Sequence, residues 1–236
     1  MIIKDGGSTD NSLACLADFP NMPIKLIEST DTGIYDAMNQ ALAHISGEYV
    51  YFLNCGDYLY SNDVLSTMLK ETEDFASEDK YILYGNIKNR FVQSHISSDP
   101  SINGFSLYRN VPCHQACIYD SRLVSEHQFD ISFKVRADYE QFLWCYYVGK
   151  ASLKYVDICV ADYEGGGYSA QNEEISKEEH EIITHKYMTD KEIAKYKAYL
   201  ALTLSKLRTK VAESPKMSVA YNEVKKLIYK VVRNKK

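Results

Sequence analysis

Residues 33–57 read GIYDAMNQALAHISGEYVYFLNCGD, and this stretch decides the fold class. Ile34, Ala37, Met38, Ala41, Leu42 and Ile45 recur at i, i+3, i+4, i+7, i+8 and i+11, one apolar face at the 3.6-residue period of a helix. Gly47 stands where a C-cap is expected. Tyr49 to Leu53 then forms a short apolar run that reads as a buried strand and leads straight into Asn54-Cys55-Gly56-Asp57. A helix followed by a buried strand that ends in an acidic, glycine-bearing loop is the repeating unit of open α/β sheets. Their ligands bind in the crevice beyond the carboxyl ends of the strands, so Asp57 marks a candidate site.

The same alternation extends in both directions. Upstream, Met1-Ile2-Ile3 is a strand end, followed by the loop Asp5–Asn11 (DGGSTDN), a helix around Ser12 to Asp18 and the strand-like Ile24–Ser29. Downstream, Ser61 reads as the N-cap of a helix from Asn62 to about Glu71. From Lys80 the pattern turns strand-rich, in YILYGNI (81–87), RFVQSHI (90–96) and ACIYD (116–120). A helix from about Tyr139 to Val148, a strand in Leu153 to Val160 and the loop EGGGYS (164–169) follow. Beyond Gln171 the chain is helical in pattern, with one break near Ser214 and Pro215. The expected architecture is therefore α/β, a mostly parallel mixed sheet flanked by helices over residues 1–170, with a helical region over 171–236.

Composition limits the function classes. The chain has 236 residues, 45% hydrophobic and 25% charged, enough for one large domain with a sizeable core. Tyrosine is abundant, 20 against 8 Phe and 1 Trp, which suits surfaces that stack rings or grip sugars but also fits compositional drift. No apolar run approaches the roughly 20 residues that span a bilayer, and no signal-like start is evident, so a cytoplasmic location is expected. Cys15, Cys55, Cys113, Cys117, Cys145 and Cys159 are scattered through strand-like and helix-like segments and read as buried, reduced thiols. Cys113, His114 and Cys117 have some flavour of a metal site, yet no fourth ligand lies near in sequence.

Charge is uneven. Residues 216–236 hold seven Lys or Arg and one Glu, a net of +6; with -5 on the whole chain, residues 1–215 carry -11. An acidic body argues against nucleic acid as its substrate. In the tail, Tyr221, Val224, Leu227, Ile228, Val231 and Val232 gather on one side at helical spacing, with lysines and Arg233 toward the flanks. This is either a peripheral contact with an anionic membrane, on the inner face of the plasma membrane, or a helix packed on the rest of the chain with a solvated basic face.

Three carboxylates invite chemistry. Asp5 and Asp57 each lie beside glycine at a strand end, where Asp can accept hydrogen bonds from a base or ribose and bind a hard divalent cation; each loop read alone is also an ordinary turn. Asp138, in RADYEQF, precedes a helix with Gln141 three residues on, the pattern of a capping box. A carboxylate at such a place can equally accept a proton from a hydroxyl.

Together, DGGSTDNS, DTGIYDAMNQALAHISGEYVYFLNCGD, GNI, CHQACIYD, FKVRADYEQFL and EGGGYS resemble, in order and approximate spacing, family 2 glycosyltransferases of the GT-A fold. The likeness is to bacterial enzymes that build capsule, O-antigen or other exopolysaccharide, and it covers roughly residues 2–170. The resemblance implies transfer of a sugar from a nucleotide-sugar donor, by family habit a UDP-sugar, to a saccharide or lipid-linked acceptor with inversion. It implies that Asp5 binds the base, that Gly33, Asp36 and Asn39 lie along the nucleotide pocket, and that Asp57 contacts Mg2+ or Mn2+ on the donor diphosphate. Asp138 would be the catalytic base, His114 and Gln115 would lie near the acceptor or diphosphate, and the 164–169 loop would close over the donor.

Two departures from the family pattern stand out. Where the family often has two aspartates around one residue, Asn54 and Asp57 frame the loop here, so one protein carboxylate is expected at the ion. The family's opening strand and helix, roughly 30 residues, have no counterpart before Met1, which leaves an N-terminally truncated fold with an unfilled place in its sheet. Two other readings remain: an inactive nucleotide-binding remnant with an incomplete base pocket, and a metal-dependent phosphohydrolase, which would need a larger acidic cluster.

Overall fold

The structure is a computed structural model that describes residues 1–73 and 75–202, without the side chains of residues 169 and 170. It divides into one compact unit, Met1–Ile183, and a second that begins at Thr184. The first opens with β1 (Ile2–Asp5), a 3-10 turn at Ser12–Asp18 and β2 (Lys25–Glu28). There follow α1 (Ile34–Leu42), β3 (Tyr49–Tyr51), β4 (Tyr58–Leu59), α2 (Val64–Lys70), β5 (Tyr81–Asn89), β6 (Ser94–Ile96) and α3 (Gly104–Arg109). After a second 3-10 turn, His114–Ala116, come β7 (Cys117–Asp120), α4 (Ser121–Glu126), α5 (Ala137–Tyr147), β8 (Ser152–Tyr163), α6 (Tyr168–Gln171) and α7 (Glu173–Tyr187). The second unit holds α8 (Asp190–Leu202), in which Ile193 and Tyr196 are buried.

The strands form two sheets. β1 and β2 pair in parallel, Ile2 opposite Lys25 through Asp5 opposite Glu28. The larger sheet runs β3-β7-β5-β8-β4, with β6 also on β5. It is mixed, as expected, but its balance is antiparallel: β5–β8 is parallel, and the β3–β7, β5–β7, β4–β8 and β5–β6 pairs are antiparallel. The helical spacing between strands foretold crossovers, and the strand-rich middle of the chain pairs by hairpin-like returns instead. Among the described residues neither β1 nor β3 has a strand on its second edge, and the apolar β1 residues Ile2 and Ile3 are only half-buried.

The core lies under the larger sheet. Met68 of α2, Leu83 of β5, Ile118 of β7 and Val160 of β8 pack together out of solvent. Gly85 is obligatory at the β5–β8 contact: a Cβ there would lie 2.7 Å from Val160 Cγ2 and 2.8 Å from the Ile158 carbonyl oxygen, and the register shifts beside it.

Several boundaries differ from the sequence reading. α1 buries Met38 and Leu42 as expected but stops at Leu42 with Ala43 as C-cap, five residues short of Gly47. α2 begins at Val64 with Asp63 as its cap residue, and Ser61 bonds the Asp63 side chain rather than the helix. Cys15 and Cys55 are exposed, contrary to the expectation of six buried thiols, because both sit in surface turns. No helix among the described residues is long and apolar enough to cross a membrane. The amphipathic pattern at 216–236 lies outside the described residues.

Candidate active site

The loop after β1 is held by its own aspartate. Asp5 Oδ2 accepts from the amides of Gly7 (2.9 Å) and Ser8 (2.8 Å), and Oδ1 accepts from the Ser8 hydroxyl. These bonds, the Ser8 hydroxyl first, hold its pKa below the ordinary carboxylate value. Lys4 Nζ ties the loop to the one before α1, bonding Asp31 Oδ2 (2.9 Å) and the Ser29 carbonyl (2.6 Å). Gly6 must be glycine for this: an added Cβ would stand 2.7 Å from Asp31 Oδ2.

Gly33, at φ +139, turns the chain into α1. Asp36 Oδ2 reaches back to the amide (2.8 Å) and hydroxyl (3.0 Å) of Thr32, and the amide bond chiefly lowers its pKa. Asn39, one turn on, binds the backbone of Phe129 from both ends of its amide. Asp36 and Asn39 thus spend their side chains on protein partners. Asp5, Gly33 and Asp36 share the end of the structure that Lys4 and Asp31 join.

A second group lies around the 3-10 turn before β7. Asp57 is buried at 8% exposure, and its Oδ1 accepts from the Glu164 amide at 2.8 Å. Burial raises its pKa, opposed by that amide, by the Gln115 side chain and by the charge of Arg90. Gly56, at φ +88, lets the Glu164 carboxylate come alongside; a Cβ at residue 56 would collide with it. Arg90 donates to the Gly56 carbonyl, so the Gly56–Asp57 turn is gripped by β5 and by the 164–167 loop together.

His114 and Gln115 link this carboxylate to the next. Gln115 is buried, takes a bond from Cys113 Sγ at 3.1 Å, and its carbonyl accepts the Tyr51 hydroxyl at 2.9 Å. His114 lies among the rings of Phe52, Tyr119 and Phe129, at centroid distances of 5.0, 6.1 and 5.7 Å, and neither ring nitrogen has a hydrogen-bond partner among the described residues. Burial keeps it neutral by lowering its pKa, with Asp138 pulling the other way. Cys113, pushed up to about 12 mainly by burial, feels the charge of both Asp138 and Asp57. The turn therefore lies near both carboxylates. Its sulfur is engaged by Gln115, and among the described residues no three His, Cys, Asp or Glu side chains converge as a metal site.

Asp138 is not a helix cap. α5 starts at Ala137 with Arg136 as cap residue, and Asp138 lies within its first turn. Its Oδ1 accepts from the Tyr35 hydroxyl (3.0 Å) and from the Tyr139 amide (2.9 Å), whereas Oδ2 has no hydrogen-bond partner among the described residues. Gln141, the expected partner in a capping box, is buried and donates to the His127 carbonyl at 3.2 Å. Two residues that shape this site, Tyr35 and Glu179, escaped the sequence reading. Each acts across a long stretch of chain that no local pattern reports.

Comparison with known proteins gives the family and the fold. Residues 1–118 match the profile of glycosyl transferase family 2. A PGL/p-HBAD biosynthesis glycosyltransferase of Mycobacterium bovis is 30% identical over 174 residues, covering 72% of this chain and 67% of that one. An uncharacterized glycosyltransferase of Mycobacterium tuberculosis is 29% identical over 170 residues, covering 70% and 64%. Among solved structures, S. aureus TarS residues 1–349 in complex with UDP-GlcNAc superposes with a TM-score of 0.58 at 18% identity, over 72% of this chain and 51% of that one. The mannosyltransferase PcManGT of Pyrobaculum calidifontis, in complex with GDP-Man and Mn2+, gives 0.53 at 12% identity over 95% and 76%. The chain thus spans about half the length of the matched TarS chain, and these likenesses establish the GT-A fold. With its family profile, its relatives and its fold in agreement, the chain belongs to glycosyl transferase family 2.

Proposed function

We propose that this chain transfers a sugar from a nucleotide-sugar donor, with uridine as the base, to a saccharide or lipid-linked acceptor of a bacterial surface polysaccharide, with inversion at the anomeric carbon. The observation that carries the reading is Asp138: a half-buried carboxylate with both hydrogen bonds on Oδ1, which leaves Oδ2 open to take a proton. An acceptor hydroxyl bonded to that oxygen loses its proton as it attacks, and the nucleoside diphosphate leaves from the opposite side. Complexes of the structural neighbours with UDP-GlcNAc and GDP-Man support a nucleotide-sugar donor.

A divalent cation, Mg2+ or Mn2+, fits Asp57. Burial has raised this carboxyl's pKa, the condition of an anion short of compensating charge, and hard cations take carboxylate oxygens. Asp57 would hold the ion, with the Glu164 carboxylate beside it, and when bound the ion supplies neutralisation of the departing diphosphate. One or two protein carboxylates leave the remaining coordination to diphosphate oxygens and water. His114 and Gln115, which lie near Asp138 and Asp57 respectively, would contact the acceptor or the donor's diphosphate, and Asp5 with Gly33 and Asp36 would receive the nucleoside.

Thermal protection by a panel of UDP-, GDP- and dTDP-sugars with Mn2+ tests the donor assignment. Stabilisation by a UDP-sugar is expected, and lost in Asp57→Ala; protection by none of the panel would count against it.

A further inference from the structure

Two side chains outside the assigned donor and metal positions converge on the segment that carries Asp138. Glu179 of α7, 7% exposed, accepts from three successive amides: Lys134 (2.6 Å) and, on its other oxygen, Val135 (3.0 Å) and Arg136 (2.8 Å). One helical turn earlier Ser176 takes the Arg136 guanidinium, Nε lying 2.7 Å from its carbonyl and 2.8 Å from its hydroxyl. From the other side, Tyr35 of α1 lies within hydrogen-bond distance of the Val135 carbonyl (2.8 Å) and of Asp138 Oδ1 (3.0 Å). Val135 is therefore held by its amide to α7, and its carbonyl shares the single Tyr35 hydroxyl proton with Asp138 Oδ1, so α1 ties the segment and the aspartate three residues later together.

We propose that Tyr35 and Glu179 are positioning residues that fix the Asp138 carboxylate for proton transfer, Glu179 by clamping Lys134–Arg136 and Tyr35 by donating its hydroxyl to Oδ1. This rests on the reading of Asp138 as the base. Three consecutive amides aimed at one buried carboxylate form an anion-binding nest with a built-in anion, which costs no reorganisation during the reaction. A phenol that donates to a carboxylate holds it in one orientation. It also occupies one oxygen and so selects the other for the acceptor. Tyr35 remains protonated throughout, because burial first, then the charges of Asp138 and Glu179, raise its pKa. Tyr35 is also adjacent to Asp36 and two residues from Gly33, so α1 connects the nucleotide end of the site to the base.

The charge on Asp138 is felt by Tyr35 from α1, Cys113 and His114 from the 3-10 turn, and Cys117 and Tyr119 from β7; Glu179 faces Tyr35 from α7.

The test compares transfer kinetics and calorimetry with UDP in the wild type, in Tyr35→Phe and in the Glu179 variants. Tyr35→Phe is expected to lower kcat on the order of tenfold. UDP affinity should stay within about twofold. Glu179→Ala should lower kcat at unchanged UDP affinity, and Glu179→Gln, which keeps one acceptor oxygen, should recover part of it. Wild-type kcat per folded molecule in Tyr35→Phe or in Glu179→Ala, or a UDP affinity that falls as far as kcat does, overturns the proposal. Asp138→Asn run in parallel separates the two levels. If it retains transfer, the base assignment fails; if it abolishes transfer while Tyr35→Phe matches wild type, only the positioning role fails.

Discussion

Asn39 pairs its whole amide with the backbone of one buried residue, donating from Nδ2 to the Phe129 carbonyl at 2.8 Å and accepting at Oδ1 from the Phe129 amide at 2.9 Å. The pair joins α1 to the segment before α5. It also seats the Phe129 ring against Tyr35 and Phe52, at 5.6 and 5.4 Å.

Asn39→Ala leaves both backbone groups of Phe129, itself 3% exposed, without partners. A loss of about 3 kcal/mol is expected in urea unfolding, with UDP affinity of the folded protein little changed. Unaltered stability with a large drop in UDP affinity would instead place Asn39 on the nucleotide.

Gly85→Ala pushes a methyl group into the Val156 and Ile158 carbonyls and Val160 at the centre of the β5–β8 ladder. Backbone cannot yield there as a flexible side chain would, so destabilisation of about 3 kcal/mol is expected by calorimetry. A melting temperature equal to that of the wild type would contradict the register of that pair.

Asp57 carries a sign that can be checked. Its folded pKa lies above the ordinary 3.8, so the folded chain binds that proton more tightly than the unfolded one. Its contribution favours folding at low pH and weakens as pH rises from the ordinary value through the raised one. At pH 7 without metal, Asp57→Asn should melt higher than wild type, yet lose the protection that Mn2+ adds to UDP. Mn2+ binding by the wild type, followed by EPR, should weaken as pH falls through the raised pKa. A lower-melting Asp57→Asn that keeps the Mn2+ effect would refute the cation assignment.

The parts of the fold that were legible in sequence are those written locally. The apolar period of residues 34–45 places α1, and Asp beside Gly marks both loops at strand ends. What was misread depends on distant partners. Asp138 has a capping-box spacing, but Glu179, 43 residues away from Arg136, already organises the chain before α5, and Tyr35, 103 residues away, draws the carboxylate to itself. Strand direction was missed for a related reason. Apolar runs report burial, whereas antiparallel pairing of β7 with both β3 and β5 is settled by packing across the chain.

Transfer by Asp138→Asn, assayed with the donor that protects best and its matching acceptor, tests the central claim most directly. The substitution keeps an acceptor oxygen for Tyr35 while removing the negative charge and with it the ability to take a proton. Turnover should fall by about 100-fold or more, with melting temperature and UDP affinity unchanged. Near-normal turnover in that variant would contradict the assignment of Asp138 as the base.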